Sequence, residues 1–510
     1  MNEPETYKIP QIEPPQRTEP PASDAPPKKK KAEPPKPERF ISLDAYRGFI
    51  MLMLAASGFG IHNLYQGMRD DSNQAGTSVW EARRKILDVP RWEWIDHHFE
   101  HPKWQSNFAF GKHNASEGSP WLRFCVSFWD LIQPAFMFMV GVAMPFSFEN
   151  RKRAGQTEKY MLWHAFIRAV VLTLLGVFLQ SLSSPRTNWI FPNVLSQIGL
   201  GYFFVYLLLN RTKAVQIGAF VGILILTWGA FVIYQTPDSY DPAAVSASAE
   251  KGEVLEGFYR HWTKNGNVAS AFDSWFLPLF PPAKDPPPIT EDEKESATED
   301  SEQAPREKVV KYEANYGGYT TLNFVPSMAT ILLGVFCGQL LMTDKSSGRK
   351  LLELLAIAAG CLVIGVVAGA TCCPIIKRIW TPSWALFSGG YVVAMLALFY
   401  MVFDMWGLKK IALPLTIIGM NSLAFYLMGQ MLRPWLVNKV FQIHLSESFN
   451  ALLGFIAQKA DLLARLGATP DTAGEAMYHT FQPIIDPTAA VLLMWLIGYY
   501  MYKNKIYVRI

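Results

Sequence analysis

The sequence predicts an all-α fold, a polytopic membrane bundle of about ten transmembrane helices with both termini cytoplasmic. Three observations lead there. Half of the 510 residues are apolar and 14% are aromatic, whereas only 18% are charged, below the roughly 25% usual in soluble domains. The apolar residues fall in blocks of about twenty, the length that spans a hydrocarbon core. Basic residues concentrate in alternate short loops, which fixes an orientation.

Taken in order, residues 1–39 form a Pro- and Lys-rich tail, PPKKKKAEPPKPER at its end, too polar to fold alone and without the apolar core of a secretory signal. Lys28 to Lys31 have two readings, contact with anionic lipid or a charge that holds the N-terminus in the cytoplasm. The domain that follows, 40–510, opens with a span from Ile41 to His62, started by Ser42 and Asp44, with Arg47 one turn in. A loop at 63–127, rich in His and Trp, precedes the second span, Phe128 to Phe148, after which NRKRAGQTEK returns positive charge. Spans three to five are expected at Met161 to Leu182, Pro192 to Leu209 and Ala214 to Tyr234.

A second long polar region runs from Gln235 to Asn323 and contains a low-complexity acidic insertion at 278–311. Spans six to nine are expected at Phe324 to Met342, Leu351 to Thr371, Pro382 to Phe403 and Ile411 to Leu432. An amphipathic helix near Ser446 to Leu466 leads to the last span, Thr488 to Tyr502. The short loops after spans two, four, six, eight and ten are basic, so they are assigned to the cytoplasm and the His- and Trp-bearing loops to the outside. The scattered cysteines have no metal-ligand spacing. Cys337 and Cys361 read as core residues, and a bridge from Cys125 to Cys372 or Cys373 stays open.

The stretch from His97 to Ser147 concentrates the chemistry. His101 stands in HPKW just before the second span, and a neutral imidazole can accept a proton or an acyl group. A solvated loop histidine is the competing reading. Neighbouring His97 and His98 point different ways and make a poor shared metal site, so no metal is assigned. Asp130 and Gln133, three apart, share a helix face; Asp130 can cap the helix or orient His101. Pro134 should kink this helix, and Gly141 permits close packing. Asn421, Ser422 and Gln197 are polar groups within apolar spans, either packing glue or the lining of a path. His261, Asn265 and Asp273 lie among aromatics outside the bundle, a pattern suited to sugar binding and equally to interfacial anchoring. No P-loop, dinucleotide fingerprint or zinc signature is present, and nothing beyond the lysine tail points to nucleic acid.

SLDAYRGF, H-x-x-W at His101 to Trp104, DLIQPAFMFMVG, NVLSQIGLGYF, YTTLNFVPSMATILLG and GMNSLAFYL, in this order, resemble the heparan-alpha-glucosaminide N-acetyltransferase family, closest to its bacterial branch. The resemblance runs from Arg39 to Ile510. It implies a multi-pass enzyme of the plasma (inner) membrane that carries an acetyl group from cytosolic acetyl-CoA, as co-substrate, to an amino sugar or glycan on the far side. It maps the active histidine to His101, with Asp130 holding its tautomer and Trp104 beside the acceptor. Asp44, Arg47, Gln133, Gln197, Asn421 and Ser422 are then expected along the coenzyme's path, with Arg47 or Arg168 near the adenosine end. His261, Asn265 and Asp273 would meet the sugar. Membrane lipids are the other expected partners, a homodimer stays open, and a secondary transporter of sugars or cell-wall fragments is the alternative.

Overall fold

The structure, a computed structural model, describes residues 40–68, 77–87, 89–101, 104, 126–283 and 313–508. The basic tail, Cys125 with its expected bridge, and 284–312 of the acidic insertion lie outside these. Every regular element among the described residues is helical. Seven helices are long and apolar enough to cross a membrane, or nine if each of two bent pairs counts once. The chain is a membrane-embedded, multi-pass helical protein.

The first expected span is a bent pair, α1 (Ile41–Ala55) and α2 (Ile61–Gln66). Two short helices follow, α3 (Ser78–Ile86) and α4 (Val89–His97), and then α5 (Phe128–Arg153), α6 (Glu158–Ser181), α7 (Val194–Leu208) and α8 (Lys213–Ile233). After α9 (Val268–Phe276) come α10 (Phe324–Leu341), α11 (Ser347–Thr371) and α12 (Pro382–Phe399). The ninth expected span is the second bent pair, α13 (Lys409–Met420) and α14 (Ser422–Met431), broken by 70° at Asn421. The chain ends with α15 (Ser446–Lys459) and the long α16 (Ala473–Lys503).

The count of ten spans is not reached on length. The fourth expected span, α7, has 15 residues, which rise roughly 22 Å, short of a hydrocarbon core of about 30 Å. The helices form two tiers. About 70% of the apolar window is buried in α5 (67%) and in the segment containing α10 (72%), against 22–28% in α6, α8, α11 and α16. The outer helices thus present apolar side chains such as Leu174, Phe178, Leu226 and Val363 outward, where lipid can cover them.

Lipid is as apolar as leucine, so the tiers are held by fit and by satisfied backbone groups. α5 and α10 cross where a Cβ on Gly141 would lie 1.9 Å from the Ile331 carbonyl oxygen, and one on Gly334 2.1 Å from that of Phe138. The proline-bearing helix α16 shows the second device. Pro483 and Pro487 lack N–H groups and leave the carbonyls of His479 and Pro483 without helical donors. Arg83 reaches the His479 carbonyl at 3.4 Å and the neighbouring Thr480 carbonyl at 2.7 Å. Gly60, in the left-handed region at φ 65°, packs on the Pro483 carbonyl, which lies 1.7 Å from where a Cβ would stand. The first span bends by 47° just ahead of this contact, between Ala55 and Ser57.

Replacing Gly334 by Val should cost about 1–3 kcal/mol or more by overpacking, read as a lowered thermal midpoint in detergent. Gly222→Val, with nothing within 4 Å of its Cβ position, should change the midpoint far less. Equal effects would remove the α5–α10 crossing as a determinant of stability.

Candidate functional site

The N-terminal end of α5 carries the site. Three backbone and hydroxyl contacts join the segment His98–His101 to it. The Trp129 amide donates to the His98 carbonyl at 2.9 Å, and Ser127 Oγ donates to the carbonyls of Glu100 at 2.7 Å and His98 at 3.3 Å. His101 is thereby placed beside the first turn of α5, its ring edge-on to Trp129 with centroids 6.4 Å apart. His101 Nδ1 lies 3.1 Å from Asp130 Oδ1. Half of the imidazole is exposed, whereas the carboxylate is almost fully buried.

The same oxygen of Asp130 accepts from Lys377 Nζ at 2.8 Å, and Lys377 is itself buried. A carboxylate so placed costs several kcal/mol unless a cation and hydrogen bonds compensate it. Lys377 supplies the cation, and the start of α5 adds the favourable end of a helix dipole. Burial by itself lowers the pKa of the Lys377 ammonium, but the charges of Asp130 and Tyr319 and the hydrogen bond to Asp130 together outweigh burial and hold it above the ordinary value. Three residues before His101, burial and then the neighbouring His97 hold the His98 imidazole below its usual range, against the raising effect of its hydrogen bond to the Val126 backbone.

Lys377 is presented by a closed loop between α11 and α12. Thr381 ties it shut, its amide donating to the Ile376 carbonyl at 3.1 Å and its Oγ1 accepting from the Ile376 amide at 3.0 Å. The Arg378 carbonyl accepts from Asn323 Nδ2 at 2.6 Å, and the Arg378 guanidinium donates to the Gly317 carbonyl at 3.2 Å. Ile376 and Ile379, on either side of Lys377, enter an apolar cluster with Trp104, Phe231, Trp262 and Cys373. Cys372 and Cys373 both carry free thiols.

The other candidates divide sharply. Gln133 lies one turn below Asp130 and donates from Nε2 to Gln197 Oε1 at 3.2 Å, so α5 and α7 bring these two together under His101. Gln197 Nε2 is buried without a partner. Trp104 is buried, its indole donating to the Trp262 carbonyl at 3.0 Å, and so offers no face to an acceptor. His261 is pinned to the Tyr234 carbonyl at 2.7 Å, and Asn265 to the carbonyls of Val245 and Asn315 at 2.9 and 3.0 Å. Asp273 accepts from the Thr321 amide at 2.9 Å. These three hold the cap over the bundle together and make no contact with His101.

Asp44 and Arg47 pair with each other at the start of α1, with Arg47 Nε also reaching the Leu43 carbonyl at 3.4 Å. The far end of this span, at Gly58, lies against Phe99 and Trp129, which sets Asp44 roughly 20 Å along the helix from the site. Asn421 is fully buried at the α13–α14 break. Its Nδ2 donates to the Ile506 carbonyl and its Oδ1 accepts from the Val508 amide, both at 3.0 Å. The amide clamps the C-terminal segment, and Ser422 simply begins α14. Among the described residues no group of three His, Cys, Asp or Glu side chains is arranged to hold a metal ion.

Lys377 is the residue that sequence reasoning missed. A signal exists: Lys377 and Arg378 are two cations in a short loop that the charge pattern assigns to the outside, against the bias that the basic cytoplasmic loops define. No family model matches the chain, and a search of curated proteins returns no match.

Lys377→Met should destabilise the protein by about 3–5 kcal/mol, the cost of leaving a buried charge without its partner, and Asp130→Asn with Lys377→Met should regain most of it. Thermal or denaturant unfolding in detergent reads both, and a double variant no better than the single would remove the pair as a unit. Asp273 gives a pH dependence. Burial raises its carboxyl to about 6, against a lowering by the Thr321 contact. Its folded pKa exceeds the unfolded value, so its contribution to stability is full near pH 4 and falls as the pH rises through about 6. Asp273→Asn should flatten that window, and an unchanged slope between pH 4 and 7 would contradict the assignment.

Proposed function

We propose that this chain is a membrane acetyltransferase that passes the acetyl group of acetyl-CoA to the amine of a hexosamine or a glycan bearing one. The observation that carries the reading is an exposed imidazole hydrogen-bonded to a buried carboxylate, which is neutralised in turn by a buried ammonium, at one end of a bundle of apolar helices. The order of the motifs that carry the family resemblance supports it, because His101 occupies the position that the resemblance assigns to the active histidine.

A carboxylate at Nδ1 favours the tautomer with the proton on that nitrogen. Nε2 is then the basic nitrogen, on the exposed ring. In direct transfer, His101 Nε2 takes a proton from the attacking amine as the C–N bond forms. The thioester C–S bond breaks, and the leaving thiolate receives that proton. In a relay, Nε2 itself attacks the thioester carbonyl and the C–S bond breaks to release the thiolate; the amine then attacks the acyl-imidazole, the Nε2–C bond breaks, and the amine's proton passes to the thiolate. Both routes need Asp130 to stabilise the imidazolium or the developing positive charge, and Lys377 keeps that carboxylate charged and in place. Its distance from the exposed ring makes Lys377 a positioning residue.

One observation favours the transporter alternative. Broken helices border transporter sites, and two bent pairs occur here, with a fully buried Asn421 at the sharper break. The commitment of that amide to the C-terminal segment argues against a path at this point.

Purified protein in proteoliposomes, given acetyl-CoA and a panel of hexosamines, should yield N-acetylated product detectable by mass spectrometry. His101→Ala should lower turnover by about 10²–10⁴-fold with an unchanged thermal midpoint. Retained turnover would remove His101 from the chemistry, and accumulation of labelled sugar without acetyl-CoA would favour transport.

A further inference from the structure

The end of the bundle opposite His101 contains a second polar cleft. Arg151 lies 21 residues along α5 from Asp130, roughly 32 Å at helical rise. There α5, α6 and α7 border an open cleft, lined among others by Ser147, Arg151, His164, Arg168, Tyr202 and Tyr206. Arg151 donates to Gln156 Oε1 at 3.2 Å and from Nη2 to His164 Nε2 at 3.0 Å. Arg168 lies over the Tyr202 ring, 5.0 Å from its centroid. Two buried donors in this wall have no partner, Arg168 Nε and Tyr206 Oη.

The charge balance of this wall is unusual within the protein. Arg47, Arg153 and Arg349 each pair with a carboxylate, Asp44, Glu149 and Glu353. Two guanidiniums line the cleft and no carboxylate does. Like charges gathered in a partly dry wall repel unless an anion joins them, and a guanidinium fork beside unfilled donors matches the oxygens of a phosphate. Its enclosed part is about 10 Å³, room for one water-sized group, so a single phosphate oxygen fits it and a whole nucleotide does not. The outward face of α6 beside it exposes Tyr160, Trp163 and Phe166, side chains that settle at a membrane interface. Basic pockets between helices at that depth receive anionic headgroups.

We propose that the cleft between α5, α6 and α7 is a binding site for a phosphate-bearing anion, filled from the bilayer by the headgroup of an anionic phospholipid. Arg168 Nε and Tyr206 Oη supply the unused donors, Arg151 adds charge, and the bound headgroup ties the three helices together at the end where α7 is too short to reach a far interface alone.

The test uses the full chain in detergent with added phosphatidylglycerol or phosphatidylcholine, measuring thermal midpoint and lipid retention by native mass spectrometry. Phosphatidylglycerol should raise the midpoint and stay bound; phosphatidylcholine should do neither. Arg151→Gln with Arg168→Gln should abolish the difference. Tyr206→Phe, which deletes one hydroxyl and leaves the fold's packing in place, should weaken retention by about tenfold. Equal retention of the two lipids by the unaltered chain, or undiminished selectivity in Tyr206→Phe, would overturn the proposal. Stabilisation by inorganic phosphate, 3′-phospho-ADP or acetyl-CoA that requires both arginines, without any effect of phosphatidylglycerol, would assign the anion to the aqueous side and overturn the lipid source. Loss of selectivity in Tyr206→Phe without loss of acetyl transfer would separate this site from the one at His101.

Discussion

One carboxylate oxygen organises the mouth of this bundle. Asp130 Oδ1 accepts from an ammonium on one side and faces an imidazole on the other, and neither element that brings these partners is contiguous with α5. The oxygen therefore couples three segments, the turn ending at His101, the first turn of α5 and the loop between α11 and α12. Its burial gives the coupling its strength. In water the Asp130–Lys377 pair would contribute little; here, removing either member of that pair leaves a charge that solvent cannot reach.

The same economy governs the bundle below. Apolar burial cannot hold helices together in lipid, so the described helices rely on backbone approach and on finding donors for freed carbonyls. Gly141 and Gly334 provide the first at the central crossing. Arg83 provides the second on α16, by donating to carbonyls near Pro483. Breaks in the spans occur where these demands conflict with straight helices. The left-handed run Ser57–Gly60 lets Gly60 sit on α16, and the turn at Asn421 makes room for the returning C-terminus.

Much of the bundle was legible because a membrane span is a long, local, apolar signal. The positions of α5, α6, α8, α10, α11 and α12 follow from it directly. The first half of α16 was hidden by Pro483 and Pro487, whose usual meaning is an end of helix; only the distant partners of the freed carbonyls reverse it. The breaks after Ala55 and at Asn421 were invisible for a related reason, since hydropathy over a window does not register a contact with a segment far along the chain. At the site, His101 and Asp130 stood out as titratable groups at a helix mouth. Lys377 did not, because 247 residues separate it from Asp130 and it lies in a loop that reads as a connector. Trp104, His261, Asn265 and Asp273 looked like surface groups because polar and aromatic residues in a long loop usually are; the loop instead folds into a cap with its own core.

The charge rule that orients the chain makes Lys377 and Arg378 the informative exception. Two cations in a short loop on the outward side oppose the bias that sets topology, so the loop tolerates them only if both charges have an inward use. Each has one: Lys377 meets Asp130, and Arg378 meets the Gly317 carbonyl and the Tyr319 ring. At the opposite end, in contrast, Arg151 and Arg168 lie where the charge pattern assigns the cytoplasm and, among the described residues, have no carboxylate partner. A cation that breaks the topology rule is thus consumed by the protein, whereas a pair that follows it is left for a ligand. This asymmetry puts a self-satisfied charge network at one end of the bundle and two guanidiniums in a cleft lined by no carboxylate at the other.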